Sequence, residues 1–168
     1  MEPRATDATG WSDELPGLLR ALLLPGGAAA IGGAVTAPAV ADWYPTLRKP
    51  DFTPPSRVFG PVWSVLYLLM GIADHLVARQ GTGRPEVTRA RRLYKTQLAL
   101  NVLWSALFFG RRSPLAALVE IVVLWVAIAL TIAAFARVSK PAALLLVPYL
   151  LWTSFAALLN GAIWKLNR

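Results

Sequence analysis

Two stretches without a single charge, residues 21–41 and 141–164, constrain this chain more than any other feature. A bilayer-crossing helix needs roughly 20 mainly apolar residues, and each stretch is long enough. Residues 58–73, 96–110 and 121–136 form uncharged runs of slightly shorter length. Hydrophobic residues make up 56% of the chain, above the roughly 45–50% of a soluble domain. The expectation is an all-α integral membrane protein, a five-transmembrane-helix bundle. Its helices fall near residues 19–41, 58–79, 91–110, 114–137 and 141–165. Residues 1–18 read as a polar tail, which leaves 19–168 as one membrane domain.

A net charge of +8 would suggest nucleic acid as the partner of a soluble protein. Here the cations flank apolar runs, where they anchor helix ends at lipid headgroups, so lipid is the expected partner and nucleic acid is not. The chain has no cysteine and one histidine. Disulfides, thiolate catalysis and a polyhistidine metal site within one chain are therefore excluded. No GxSxG, HExxH or phosphate-cradling glycine loop occurs. Glu2, Asp7, Asp13 and Glu14 give the start of the chain neither the basic character of a signal peptide nor the acid-poor character of a transit peptide. With alanine- and arginine-rich usage, this points to a bacterial cell membrane.

Residues 42–57 are unlike an ordinary connection. Pro45, Pro50, Pro54 and Pro55 fix φ and remove backbone donors, so the segment is stiff and non-helical. Trp43 and Tyr44 together with Arg48, Lys49 and Arg57 suit the rim of a membrane site. The segment leads directly into an apolar helix.

Three helices carry aromatic stripes. Trp63, Tyr67, Met70 and Asp74 share one face of the second helix by their spacing of i, i+4, i+7 and i+11. Asn101, Trp104, Ser105 and Phe108 do so on the third, and Trp152, Phe155, Ala156 and Leu159 on the fifth. Either these side chains pack the bundle or they line a flat apolar cavity. Spacing alone favours packing. Small residues recur every four positions on the first helix, at Gly26, Ala30 and Ala34 and at Gly33, Ala37 and Ala41, a pattern that allows close helix approach.

Polar groups inside apolar runs carry information because they are costly there. Glu120 must be protonated, paired, or facing water or a cavity, and a hydrogen bond to a neighbouring helix is the simplest outcome. Asp74 and His75 lie near a helix end and point about 100° apart, so they do not face one target together.

Five segments in order, WYPTLRKPDFTPP, FGPVWSVLYLLMGIA, NVLWSALFFG, ALVEI and VPYLLWTSFAALLN, give the chain a specific resemblance. It resembles the TspO/MBR family, the tryptophan-rich sensory protein and translocator protein (peripheral-type benzodiazepine receptor) family. The match runs from Trp43 to Asn160. The resemblance implies a pocket opening towards the loop between helices 1 and 2. It also implies binding of porphyrins, including protoporphyrin IX and haem, and of hydrophobic small molecules such as isoquinoline carboxamides. By position the ligand site carries over to Tyr44, Trp63, Tyr67, Asn101, Trp104, Ser105, Trp152 and Ala156. These largely coincide with the stripes, which tips the reading from packing towards a cavity. The cations Arg48, Lys49 and Arg57 then become candidates for the porphyrin propionates.

No metal is expected and no cofactor is required; porphyrin or haem enters as ligand. Some bacterial relatives resemble catalysts of light-dependent protoporphyrin IX breakdown, a chemistry attributed to the tryptophans matching Trp63 and Trp152. A transporter of porphyrins or other hydrophobic ligands is a further alternative. A homodimer is what the family commonly forms. Gly161 stands where vertebrate members carry the tyrosine of a cholesterol-recognition motif, which makes sterol transport a poor expectation here.

Overall fold

A computed structural model describes residues 10–168, with side chains from residue 14 onward. Residues 1–9 of the expected tail lie outside the described residues. The remainder of that tail is helical, because α1 runs Gly10–Asp42 and carries Pro16, Pro25 and Pro38 within it. At about 1.5 Å per residue its 33 residues span about 50 Å, well beyond the hydrocarbon thickness of about 30 Å.

The chain then makes a single 3₁₀ turn, Tyr44–Thr46, and an extended stretch to Pro55. Helix α2 is Ser56–Ala78 and takes Pro61 in its second turn. Helix α3 starts at Pro85, earlier than the expected residue 91, and runs Pro85–Ser105. Its first half carries Arg89, Arg91, Arg92 and Lys95, which hide the helix from any search for uncharged runs. Its inward positions Val87, Ala90, Tyr94 and Gln97 still follow the helical period and are buried. The rod continues as a π-turn, Ala106–Gly110. Arg112 adopts φ 51°, the left-handed region, and ends it.

Ser113 caps α4, Pro114–Ala136, by accepting from the Ala116 N–H at 3.4 Å. Ser139 caps α5, Lys140–Leu145, in the same way. The last rod breaks at Leu146 and resumes as α6, Val147–Leu166, because Pro148 has no N–H to continue the ladder.

The result is all-helical among the described residues, with five rods. Four stretches are long and apolar enough to cross a membrane: Glu14–Asp42, Ser56–Ala78, Pro114–Ala136 and Lys140–Leu166. The sequence led us to expect five, and α3 falls short through its basic first half. Packing closes a ring: α1 on α2, α2 on α5, α5 and α6 on α4, α4 on α3, and α3 on α1. Outward-facing Leu23, Val119, Leu144, Leu151 and Leu158 remain exposed. An apolar perimeter of that kind belongs in lipid. The small residues Gly26, Ala30 and Ala34, and Ala37 and Ala41, are exposed rather than buried in a helix contact, while Gly33 of the second register borders the cavity described below.

One ion pair fastens the end of α2 to α3. Arg91 donates from Nε and Nη2 to the two Asp74 oxygens, at 2.8 and 2.9 Å. Asp74 is 3% exposed. His75 points elsewhere, towards α1, with Nε2 3.9 Å from Glu14. The two neighbours diverge as the helical turn requires.

Candidate ligand site

A cavity of about 440 Å³ lies inside the ring beneath the proline-rich segment. Ligand pockets typically hold about 300–1,000 Å³. Each wall follows from a helix period. Ala29, Gly32, Thr36 and Val40 supply the α1 side, at spacing i, i+3, i+7 and i+11. Phe59, Trp63 and Tyr67 come from α2, and Trp152, Ala156 and Leu159 from α6. Trp104 and Ser105 come from α3, with Phe108 and Phe109 added by the π-turn.

The aromatic rings support one another. Trp104 stacks on Phe108 with centroids 5.3 Å apart and planes at 22°. Trp63 leans on Tyr67 at 5.5 Å, and Phe59 meets Trp152 edge-on at 5.8 Å. Such pairs favour offset or edge geometry and keep ring orientation fixed. Two polar ties set the orientation further. Trp104 Nε1 donates to Asn160 Oδ1 at 3.2 Å, and Asn160 Nδ2 donates to the Pro114 carbonyl at 2.8 Å. The Tyr67 hydroxyl donates to Asn101 Oδ1 at 2.6 Å.

Of the residues singled out from sequence, Tyr44, Trp63, Tyr67, Trp104, Ser105, Trp152 and Ala156 come together on the wall. Asn101 does not. It is 2% exposed and stands behind Tyr67, so it touches the cavity only through that hydroxyl. Nor do Arg48, Lys49 and Arg57 line the cavity. Lys49 Nζ turns back to donate to the Leu47 carbonyl at 3.0 Å and lies 4.8 Å over the Tyr44 ring. Arg48 is held by its backbone: its N–H donates to Asn167 Oδ1 at 3.0 Å, and its carbonyl accepts from Asn167 Nδ2 at 2.8 Å. Arg57 is exposed beside the rim residue Ser56.

The segment over the cavity is thus braced. Tyr44 is buried, and burial pushes its phenol above the usual tyrosine value, so it stays neutral at ordinary pH. Thr46 Oγ1 donates to the Trp43 carbonyl at 2.8 Å, and Thr53 Oγ1 to the Pro50 carbonyl at 2.7 Å.

Sequence reading missed the α1 wall, Phe59 and the role of Asn160. The α1 wall had a signal in the 29/32/36/40 spacing, but the many alanines and glycines around those positions masked it. Chemically the site offers π faces, three tryptophan side chains on its wall, and the hydroxyls of Tyr67, Ser105 and Thr36. No group of three His, Cys, Asp or Glu side chains suited to a metal exists among the described residues.

A model of the TspO/MBR family matches residues 21–165. The chain belongs to the TspO/MBR family. Tryptophan-rich protein TspO of Chlorobaculum tepidum is 52% identical over 141 residues, covering 83% of this chain and 89% of that protein. The tryptophan-rich sensory protein of Cereibacter sphaeroides is 39% identical over 142 residues, covering 84% and 85%. The human translocator protein is 43% identical over 126 residues, covering 74% and 75%. With its apolar spans, this TspO/MBR chain is an integral membrane protein.

Proposed function

We propose that this chain is a membrane tetrapyrrole-binding protein that holds porphyrins such as protoporphyrin IX and haem in the cavity, and so senses, buffers or moves them. The observation that carries this reading is a cavity walled by Trp63, Tyr67, Trp104 and Trp152, four π faces inside a membrane bundle. A porphyrin is a flat π-system of matching character. Burying about 500 Å² of its apolar surface at about 25 cal/mol/Å² yields about 12 kcal/mol gross. Association costs offset much of that, which leads to micromolar affinity. Arg57 and Arg48 at the mouth are the ready partners for the propionates, while Lys49 must first leave the Leu47 carbonyl.

In this reading α3 joins the four apolar stretches as a fifth span, the host is a bacterial cell membrane, and two copies form a homodimer. The test is a titration of the purified protein with protoporphyrin IX, followed by tryptophan quenching and the porphyrin absorbance. Absence of both changes at a large molar excess overturns the proposal.

A second reading, light-dependent oxidative breakdown of protoporphyrin IX, is favoured by the presence of both Trp63 and Trp152 on the wall. Illumination of the complex decides it. Loss of porphyrin with a new product, abolished in Trp63→Phe or Trp152→Phe, supports degradation. A spectral shift without loss supports binding alone. Uptake into sealed vesicles tests movement across the bilayer.

A further inference from the structure

Behind the cavity, between α3, α4 and α6, lies a carboxyl group that nothing above uses. Glu120 is 7% exposed, and neither of its oxygens has a hydrogen-bond partner. Helix register shows what surrounds it. The Asn160–Pro114 bond sets α6 beside the start of α4. The two helices are antiparallel, so six residues along α4, about 9 Å, bring Glu120 level with Ser154, the immediate neighbour of Thr153. The Thr153 hydroxyl is likewise buried and unpartnered. One turn further along α6, Tyr149 has Asn101 and Glu120 among the side chains that act on its hydroxyl. That hydroxyl and Asn101 Nδ2 are unpartnered too. Four polar side chains on three packed helices therefore converge with unsatisfied atoms, an arrangement that native interiors satisfy with ordered water and protons.

No cation faces this cluster among the described residues. On α3 the nearest titratable group is Tyr94, while Arg91 is committed to Asp74 and Lys95 is exposed. On α6 it is Tyr149, and on α2 it is Tyr67. Lys140 of α5 is exposed, and the π-turn residues Ala106–Gly110 carry no titratable group. An ionised Glu120 would be an uncompensated buried charge, so a proton is the counter-charge at hand.

We infer that Glu120, with Thr153, Tyr149 and Asn101, is a buried proton-binding site linked to the cavity through the Tyr67–Asn101 hydrogen bond. The link has a direction. While Tyr67 donates to Asn101 Oδ1, the amide turns Nδ2 inward, towards Tyr149, as a donor. Tyr149 can then donate to Glu120 and favour its anion. A ligand that accepts from Tyr67 releases the amide, whose oxygen can turn inward to accept from Tyr149. Tyr149 then accepts from the carboxylic acid, so ligand binding and uptake of one proton by Glu120 reinforce each other. This linkage rests on the cavity being a ligand site; the proton site does not.

Infrared spectroscopy of the ligand-free protein in lipid nanodiscs, from pH 5 to 9, tests the site itself. The expected result is a protonated-carboxyl band, sensitive to D₂O, that Glu120→Gln removes and Glu120→Asp keeps at a shifted position. A band unaffected by both substitutions, or no such band in the wild type at any pH, overturns the site. The linkage is read with an uncharged isoquinoline carboxamide as probe. Its affinity falls several-fold as pH rises through the midpoint of the band, and becomes independent of pH in Glu120→Gln and in Tyr67→Phe. A flat wild-type profile, or one that rises with pH, overturns the linkage while leaving the band intact. Failure of both the probe and protoporphyrin IX to bind counts against the cavity reading and not against the proton site.

Discussion

Removing either half of the Asp74–Arg91 pair has unequal consequences, because the two partners are buried to different depths. The Asp74 side chain is 4% exposed and that of Arg91 33%. Breaking a fully buried pair costs about 3–5 kcal/mol, mostly through the charge left behind. Arg91→Met strands the deeper charge and keeps the aliphatic stem, so its cost lies near the lower end, about 3 kcal/mol. Asp74→Asn strands an arginine that can lean into headgroups or water, which limits the cost to about 1 kcal/mol. The double substitution removes both charges and should cost less than Arg91→Met alone. For a chain of this size each kcal/mol shifts the melting temperature by about 2–4 °C. Thermal unfolding of the four proteins in one detergent, read by circular dichroism, gives the full cycle. Equal losses for the two single variants, or a double variant worse than Arg91→Met, would refute the reasoning that depth of burial decides the cost.

Three other outcomes follow from local geometry. A Cβ on Gly71 would sit 2.5 Å from Leu22 Cδ2, so Gly71→Ala should destabilise by about 1–3 kcal/mol, and Leu22→Ala in the same chain should recover much of the loss in the same melting assay. A Cβ on Gly32 meets only Ser105 Oγ at 3.6 Å and Tyr67 Oη at 3.9 Å, so Gly32→Ala should be accepted, whereas Gly32→Leu should fill the cavity and lower porphyrin affinity at least tenfold in a fluorescence titration, with helicity unchanged. Asn167→Ala frees the Arg48 backbone at both its N–H and its carbonyl, and should speed ligand release in stopped-flow measurements far more than it lowers the melting temperature.

Large side chains made much of the site readable in advance. Trp63 and Tyr67, Trp104 and Phe108, and Trp152 and Ala156 repeat at four-residue intervals, and the structure turns those faces to one cavity. In helices that are apolar all round, ring size marks a face where hydropathy cannot. The α1 face was unreadable for the opposite reason: Gly32 and Ala29 differ too little from their neighbours. The early start of α3 was masked by outward arginines, although Val87, Ala90 and Tyr94 kept the period. The cations above the mouth have their partners far away in sequence or in the backbone. Nothing near Arg48 announces Asn167, and nothing in the composition says that Lys49 caps Leu47. Glu120 stood out as a polar residue in an apolar run, yet only the three-helix arrangement shows that its neighbours also lack partners.

The π-turn at the end of α3 has a consequence for insertions and deletions. Its bonds reach five and six residues back, from the Arg111 N–H to the Ala106 carbonyl at 2.7 Å and from the Ser113 N–H to the Leu107 carbonyl at 3.1 Å. A π-turn amounts to an α-helix holding one surplus residue. Taking a residue out of 106–110 would restore the ordinary ladder and rotate everything beyond it by about 100°. Phe109, the Arg112–Asp42 contact and the Ser113 cap would lose their phase together. The surplus residue therefore works as a rotational gauge between the aromatic floor of the cavity and the start of α4, and the length of this short segment is under tighter constraint than the identity of most residues within it.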